Sequence, residues 1–233
     1  MAKSTAIALW DATWNPWMGC SKVSPGCLNC YAERVMSRSG KNFNTVTRSR
    51  STFYAPLKWK EPKRIFTCSW SDFFHKQADP WREEAWKIML EANWHTYMIL
   101  TKRPGLAVSW ARQYHWPDHI WIGTSIESAK YLPRLAVLNR VPAKVRFVSV
   151  EPLLKPLLVD FNSSRYFYGI SWVIIGGESG PNHRVMPLSA MEGIITFCQW
   201  SRLPIFVKQD SGPRPGMQGR IPDRLWALKQ IPE

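Results

Sequence analysis

Three of the five cysteines, Cys20, Cys27 and Cys30, fall within eleven positions in the run CSKVSPGCLNC. Thiolates are soft ligands, and at this spacing they suit zinc or an iron-sulfur cluster. The cysteine count is odd and the chain reads as cytoplasmic, so disulfides rank below a metal or redox site. A closed zinc site needs a fourth ligand, for which Cys68 and His75 are the candidates. A 4Fe-4S cluster on three cysteines leaves one iron without a cysteine, open to a substrate or cofactor.

The charge balance points to a polyanion. The 233-residue chain has 31 Lys and Arg against 17 Asp and Glu, a formal +14. Such a surplus favours nucleic acid or another phosphate-bearing partner by long-range attraction. The bias is concentrated in residues 34–64, which hold nine basic residues and one acidic residue, Glu61, interleaved with Phe43, Phe53, Tyr54 and Trp59. Basic side chains neutralise phosphates and aromatic rings stack on bases, so this stretch is the candidate nucleic-acid contact. Packing of the same rings onto the protein body is the competing reading. No apolar run is long enough to span a bilayer, so no membrane partner is expected. The five histidines lack the HExxH spacing, and the chain has neither a P-loop nor a strand-linked GxGxxG. Zinc hydrolase, ATPase and Rossmann dehydrogenase readings are therefore disfavoured.

The elements that must position these groups follow a strand-helix rhythm. Apolar strands start near 64, 95, 119, 144, 171 and 204, with helices expected after Asp79, from Pro104, over 131–140, and after a capping box formed by Ser189 and Glu192. A less distinct strand is expected at 6–10, ahead of the cysteine loop. Continuous apolar strands separated by helices predict an α/β fold: a partial or full β/α barrel of six to seven parallel strands, with a doubly wound sheet as the alternative. The expected organisation is a single domain over 1–233, with 34–64 a basic-aromatic insertion. In such folds the site forms at the C-terminal strand ends, and there the chain places Ser69, Ser71, Asp72, Lys102, Arg103, Thr124, Ser125, Glu127, Ser149, Glu151, Gly176, Gly177, Glu178 and Lys208.

Three clustered cysteines ahead of a series of βα units resemble the radical S-adenosylmethionine superfamily. More closely, TWNPWMGCSKVSPGCLNCYAERV, FTCSWSDFFH, LTKRP, WIGTSIE, RFVSVEPLL and WVIIGGESGP resemble a phage and prophage family known as Gp37/Gp68. The superfamily resemblance implies a 4Fe-4S cluster on Cys20, Cys27 and Cys30. It further implies S-adenosylmethionine chelated at the open iron and reductive cleavage to a 5'-deoxyadenosyl radical. The first cysteine interval here is six residues, where the superfamily's most common pattern has three. An external reductant such as flavodoxin or ferredoxin, and an accessory protein, are the partners expected beside nucleic acid.

By position, Ser69, Ser71 and Asp72 match the superfamily segment that contacts the methionyl amino group; Gly176, Gly177 and Glu178 follow a later strand and do not. Lys102 and Arg103 are expected to bind a cofactor carboxylate or a substrate phosphate. Thr124, Ser125 and Ser149 are expected at the cofactor, and Gly176 and Gly177 would let backbone approach adenine. Glu151, Lys102 and Glu178 are the candidate catalytic groups. The alternative is a nucleic-acid-binding protein with a structural zinc or iron-sulfur site.

Overall fold

The computed structural model describes residues 9–157 and 164–232. Seven parallel strands form one curled sheet: β1 (Ala12–Trp14), β4 (Arg64–Thr67), β5 (Thr96–Thr101), β6 (Ile120–Ser125), β7 (Arg146–Val150), β8 (Trp172–Gly176) and β9 (Ile205–Gln209). They lie side by side in that order, which is chain order, so the sheet is a half-barrel and not a doubly wound sheet. A short antiparallel pair, β2 (Trp17–Met18) and β3 (Thr47–Arg48), stands apart from it. The six strand starts expected from residue 64 onward are met within two residues. The first strand among the described residues lies at Ala12–Trp14, Leu9 and Trp10 precede it outside any strand, and residues 6–8 of the strand expected at 6–10 lie outside the described residues.

Helices cover the outer face. α1 (Tyr31–Arg38) follows the cysteine loop and α2 (Ala55–Lys58) is one turn long. α3 (Asp79–Glu91), α4 (Pro104–Ala111) and α5 (Pro133–Leu138) each place proline in the first turn, where its missing N–H costs nothing. α6 (Leu188–Trp200) begins after Pro187, with Ser189 already inside it, so the expected Ser189 and Glu192 capping box does not form. α7 (Asp223–Trp226) precedes a C-terminal segment that bonds along the free edge of β9 through Val207 N to Leu228 O and Gln230 N to Ile205 O. That segment covers a row of backbone groups that would otherwise invite another strand.

Side chains alternate across a strand, so residues two apart share a face. On the outer face Ile99, Ile122, Val148, Ile175 and Val207 pack under the helices in the main core. On the inner face the first residues are large and apolar: Met98, Trp121, Phe147, Trp172 and Phe206 form a second cluster. The Trp172 ring centres it, 6.2 Å from Trp121, 5.8 Å from Phe147 and 6.5 Å from Phe206. Gly123 belongs to this layer by what it lacks, because a Cβ there would fall inside the Phe147 ring. Toward the C-terminal strand ends the same inward rows turn polar, running Trp121, Gly123, Ser125 on β6, Phe147, Ser149, Glu151 through β7 and Phe206, Lys208 on β9. An apolar floor thus underlies a polar mouth. Among the described residues no helix is long and apolar enough to cross a membrane.

Candidate ligand site at the mouth of the half-barrel

A cavity of about 730 Å³ opens at the C-terminal strand ends, between the mouth and the cysteine loop with α1. Its lower wall is aromatic: Trp10 stacks on Phe66 with centroids 4.4 Å apart, and Lys208 Nζ stands 5.3 Å from the centre of the Trp10 ring. Trp70 and Tyr31 add two more rings, and the Tyr31 hydroxyl donates to the Ser69 carbonyl at 2.5 Å. Arg34 and Arg38, one helical turn apart on α1, also line it.

The structure gathers most of the residues expected at the site: Ser69, Ser71, Asp72, Lys102, Arg103, Ser125, Ser149, Glu151, Gly177, Glu178 and Lys208 all border this cavity, as do the three clustered cysteines. Thr124 does not. It is fully buried and donates to the Thr101 carbonyl at 2.8 Å, tying β6 to β5.

Many of the gathered groups are committed to one another. Asp72 accepts from Phe74 N at 2.9 Å and Thr101 Oγ1 at 2.7 Å through one oxygen, and from Lys102 N at 3.1 Å and Arg103 Nη1 at 2.8 Å through the other. Its lone pairs are occupied, so its role is to aim Arg103. Arg103 in turn donates through Nη2 to the Ser21 carbonyl and hydroxyl, both at 2.9 Å. Ser71 donates to the Gly19 carbonyl at 2.5 Å, and Ser69 exchanges bonds with the Asn15 amide at 3.0 and 3.2 Å.

Two carboxylates that sequence spacing placed at a ligand instead fasten the cysteine loop. Glu127 is 1% exposed and meets Ser24 Oγ at 2.6 Å, Lys102 Nζ at 3.2 Å and Arg134 Nη1 at 3.2 Å. Glu178 accepts from Asn29 Nδ2 at 2.9 Å and from Arg184 N at 2.9 Å and Nη2 at 2.5 Å; Arg184 continues to the Pro25 carbonyl at 3.0 Å. Burial alone would raise the Glu178 carboxyl, but the Arg184 and Asn29 bonds outweigh it and hold it below the ordinary range. On the opposite wall Glu151 accepts from Ser149 at 2.9 Å and Lys208 at 3.2 Å.

The glycine pair serves packing. A Cβ at Gly176 would stand 2.5 Å from Glu151 Oε1, and one at Gly177 would fall on the Ser211 backbone. Gly177 borders the cavity and Gly176 does not.

The metal expectation is corrected here. Among the described residues no three Cys, His, Asp or Glu side chains are grouped so as to hold a metal ion. The thiols make separate contacts: Cys20 Sγ lies 3.7 Å from Arg103 Nη1, and Cys27 Sγ lies 3.8 Å from Ser24 Oγ. Burial, with Asp72 adding to it, pushes the Cys20 thiol up to about 11, and burial also raises Cys30. His75 is turned toward Ser21 and Gln77, and Cys68 is buried, so neither completes a zinc set. The residues therefore do not fit a 4Fe-4S cluster. The S-adenosylmethionine cleavage and the radical-enzyme assignment inferred from that cluster fall with it, as does the structural-metal alternative.

The basic stretch is corrected in part. Phe43 and Phe53 are buried and Trp59 packs on the core, so these three rings are not open stacking platforms, whereas Tyr54 is exposed and bonds to Glu84 through its hydroxyl. Arg48 lies 3.7 Å above the Phe53 ring and pairs with Glu84. Arg34 and Arg38 are the members that face the cavity. Their four-residue spacing after the cysteine loop was the readable signal, since residues so spaced share a helix face. Trp10 and Phe66 were missed because Trp10 counted as the end of a strand and Phe66 as strand interior.

The fold is similar to that of spore photoproduct lyase. One variant of that enzyme superposes with a TM-score of 0.55 at 13% identity, covering 76% of this chain and 58% of that one. A second, with bound AdoMet and dinucleoside spore photoproduct, gives 0.54 at 13% identity, covering 84% and 63%. The chain thus spans about six-tenths of the length of the lyase chains it matches. The likeness is one of fold. No curated protein matches the sequence. Residues 4–220 match the family described as "Protein of unknown function (DUF5131)", and the chain belongs to that family.

Proposed function

We propose that the protein binds a nucleic-acid strand and seats a nucleobase in the mouth of the half-barrel. The carrying observation is the pairing of the Trp10 and Phe66 stack with cations on both sides of one cavity. Lys208 stands on one wall. Arg34 and Arg38 stand on the other, where Arg34 donates to the Ser179 carbonyl at 3.0 Å and neither arginine has a carboxylate partner among the described residues. Aromatic faces stack on any base, and a cationic rim follows the phosphates. The volume of about 730 Å³ suits a nucleotide-sized group. The net charge of +14 supplies the long-range attraction. The dinucleoside held by a structurally similar lyase supports the reading. Within it, residues 34–64 belong to the same domain and contribute the rim arginines. Binding of this kind draws on no electron donor.

The test is fluorescence anisotropy with labelled single-stranded oligonucleotides at two salt concentrations. Neutralising three or four phosphates predicts an affinity loss of roughly twenty- to fifty-fold between 50 and 200 mM salt. Replacing Trp10 by Ala is expected to cost about 1–3 kcal/mol of binding through lost stacking. An absence of binding at low salt, or binding indifferent to Trp10, Arg34 and Arg38 together, overturns the proposal.

A further inference from the structure

Beside the mouth lies a second cavity of about 630 Å³, bordered by Ser21, His75, Lys76, Gln77, Arg103 and Gly105. It shares Ser21 and Arg103 with the first, so the two meet at the residue that Asp72 aims. Val23 and Leu106 form an apolar part of its wall, and the polar groups that border it are donors. His75 Nδ1 accepts from Gln77 N at 3.2 Å, so the ring proton sits on Nε2, 3.0 Å from Ser21 Oγ. Burial first, and then the Arg103 charge, lowers the His75 pKa and keeps the ring neutral in that tautomer. Ser21 Oγ also accepts from Arg103 Nη2 at 2.9 Å. With two donors directed at its oxygen, the serine has its own proton left to give. Gln77 Oε1 accepts from Val46 N at 2.8 Å, which leaves its amide N–H groups as donors. Lys76 is exposed and has no carboxylate partner among the described residues, and no carboxylate borders the cavity.

We propose that this cavity is a phosphate subsite, which takes a backbone phosphodiester of the strand whose base occupies the mouth. The proposal rests on the nucleic-acid reading of the mouth and adds direction to it: the strand crosses the Ser21 and Arg103 ridge and continues over Lys76. A hydroxyl, a primary amide and an ammonium bordering one cavity that no carboxylate borders match the acceptor-only oxygens of a phosphodiester.

Binding of thymidine 5'-monophosphate and of a thymidine tetranucleotide is compared calorimetrically for the wild type, Lys76→Glu and Gly105→Asp. A Cβ at Gly105 meets nothing within 4 Å, so the aspartate adds charge to the cavity without a clash. The wild type is expected to bind the tetranucleotide about tenfold tighter than the mononucleotide, and each variant to lose about three- to tenfold on the tetranucleotide alone. If the mononucleotide binds and the variants leave the tetranucleotide unchanged, the subsite is overturned and the mouth reading stands. If neither ligand binds, both are overturned. Inorganic phosphate that competes as strongly as the tetranucleotide makes this a free-anion site and overturns the strand assignment.

Discussion

The guanidinium of Arg34 occupies the volume that a side chain on residue 180 would need, and Gly180 provides it by having none. The glycine also sits at φ +123°, a backbone region that side chains disfavour. Two independent reasons thus hold a glycine where the segment after β8 meets α1. Gly180→Ala is expected to lower stability by about 1–3 kcal/mol and to displace Arg34 from the Ser179 carbonyl. The shift in urea midpoint measures the first effect, and weakened oligonucleotide binding measures the second. An unchanged midpoint would mean both that the arginine moves aside and that the backbone at residue 180 relaxes to a region alanine tolerates.

Glu127 holds two cations, Lys102 and Arg134, and the Ser24 hydroxyl of the cysteine loop. Glu127→Ala leaves both cations without their acid in a mostly buried setting. Breaking such a cluster costs about 3–5 kcal/mol, and the lower end applies because Lys102 and Arg134 retain 18% and 13% of their side-chain exposure. Hydrogen exchange is expected to rise first around Ser24 to Gly26, since the loop is fastened there.

Arg103 controls Cys20. Its positive charge works against burial and Asp72, so removing it sends the thiol further above its value of about 11. Arg103→Met is therefore predicted to slow iodoacetamide labelling of Cys20 at pH 9, read peptide by peptide by mass spectrometry. Faster labelling would show that access to the loop, not charge, sets the rate.

Cys198 is fully buried on α6, and burial pushes its thiol up to about 12. An unfolded cysteine titrates near about 8.5. Above that pH the unfolded chain releases a proton that the folded chain keeps. The stabilisation is thus complete below about 8.5 and is lost as pH rises toward 12. Urea unfolding at pH 7.5 and 10 is expected to show a larger drop for the wild type than for Cys198→Ala.

Strand positions were legible because continuous apolar runs bounded by polar ends describe strands covered on the outer face and floored within. The strand at Ala12–Trp14 was not legible, since ALW and ATW offer similar apolar letters and only pairing with Ile65, Phe66 and Thr67 marks the second. The site was legible as a location, because polar residues after parallel strands converge on one end. The individual roles were not. Whether Asp72, Glu127 or Glu178 meets a ligand or a neighbouring cation depends on Arg103, Arg134 and Arg184, which lie 31, 7 and 6 residues away in sequence. The cysteine spacing suggested convergence that the loop's contacts with Arg103 and Ser24 do not produce.

The layer of Met98, Trp121, Phe147, Trp172 and Phe206 makes the half-barrel a cup with a closed base. A group that enters the mouth from the strand ends is therefore stopped at that layer, and nothing passes through the base of the sheet to the other end.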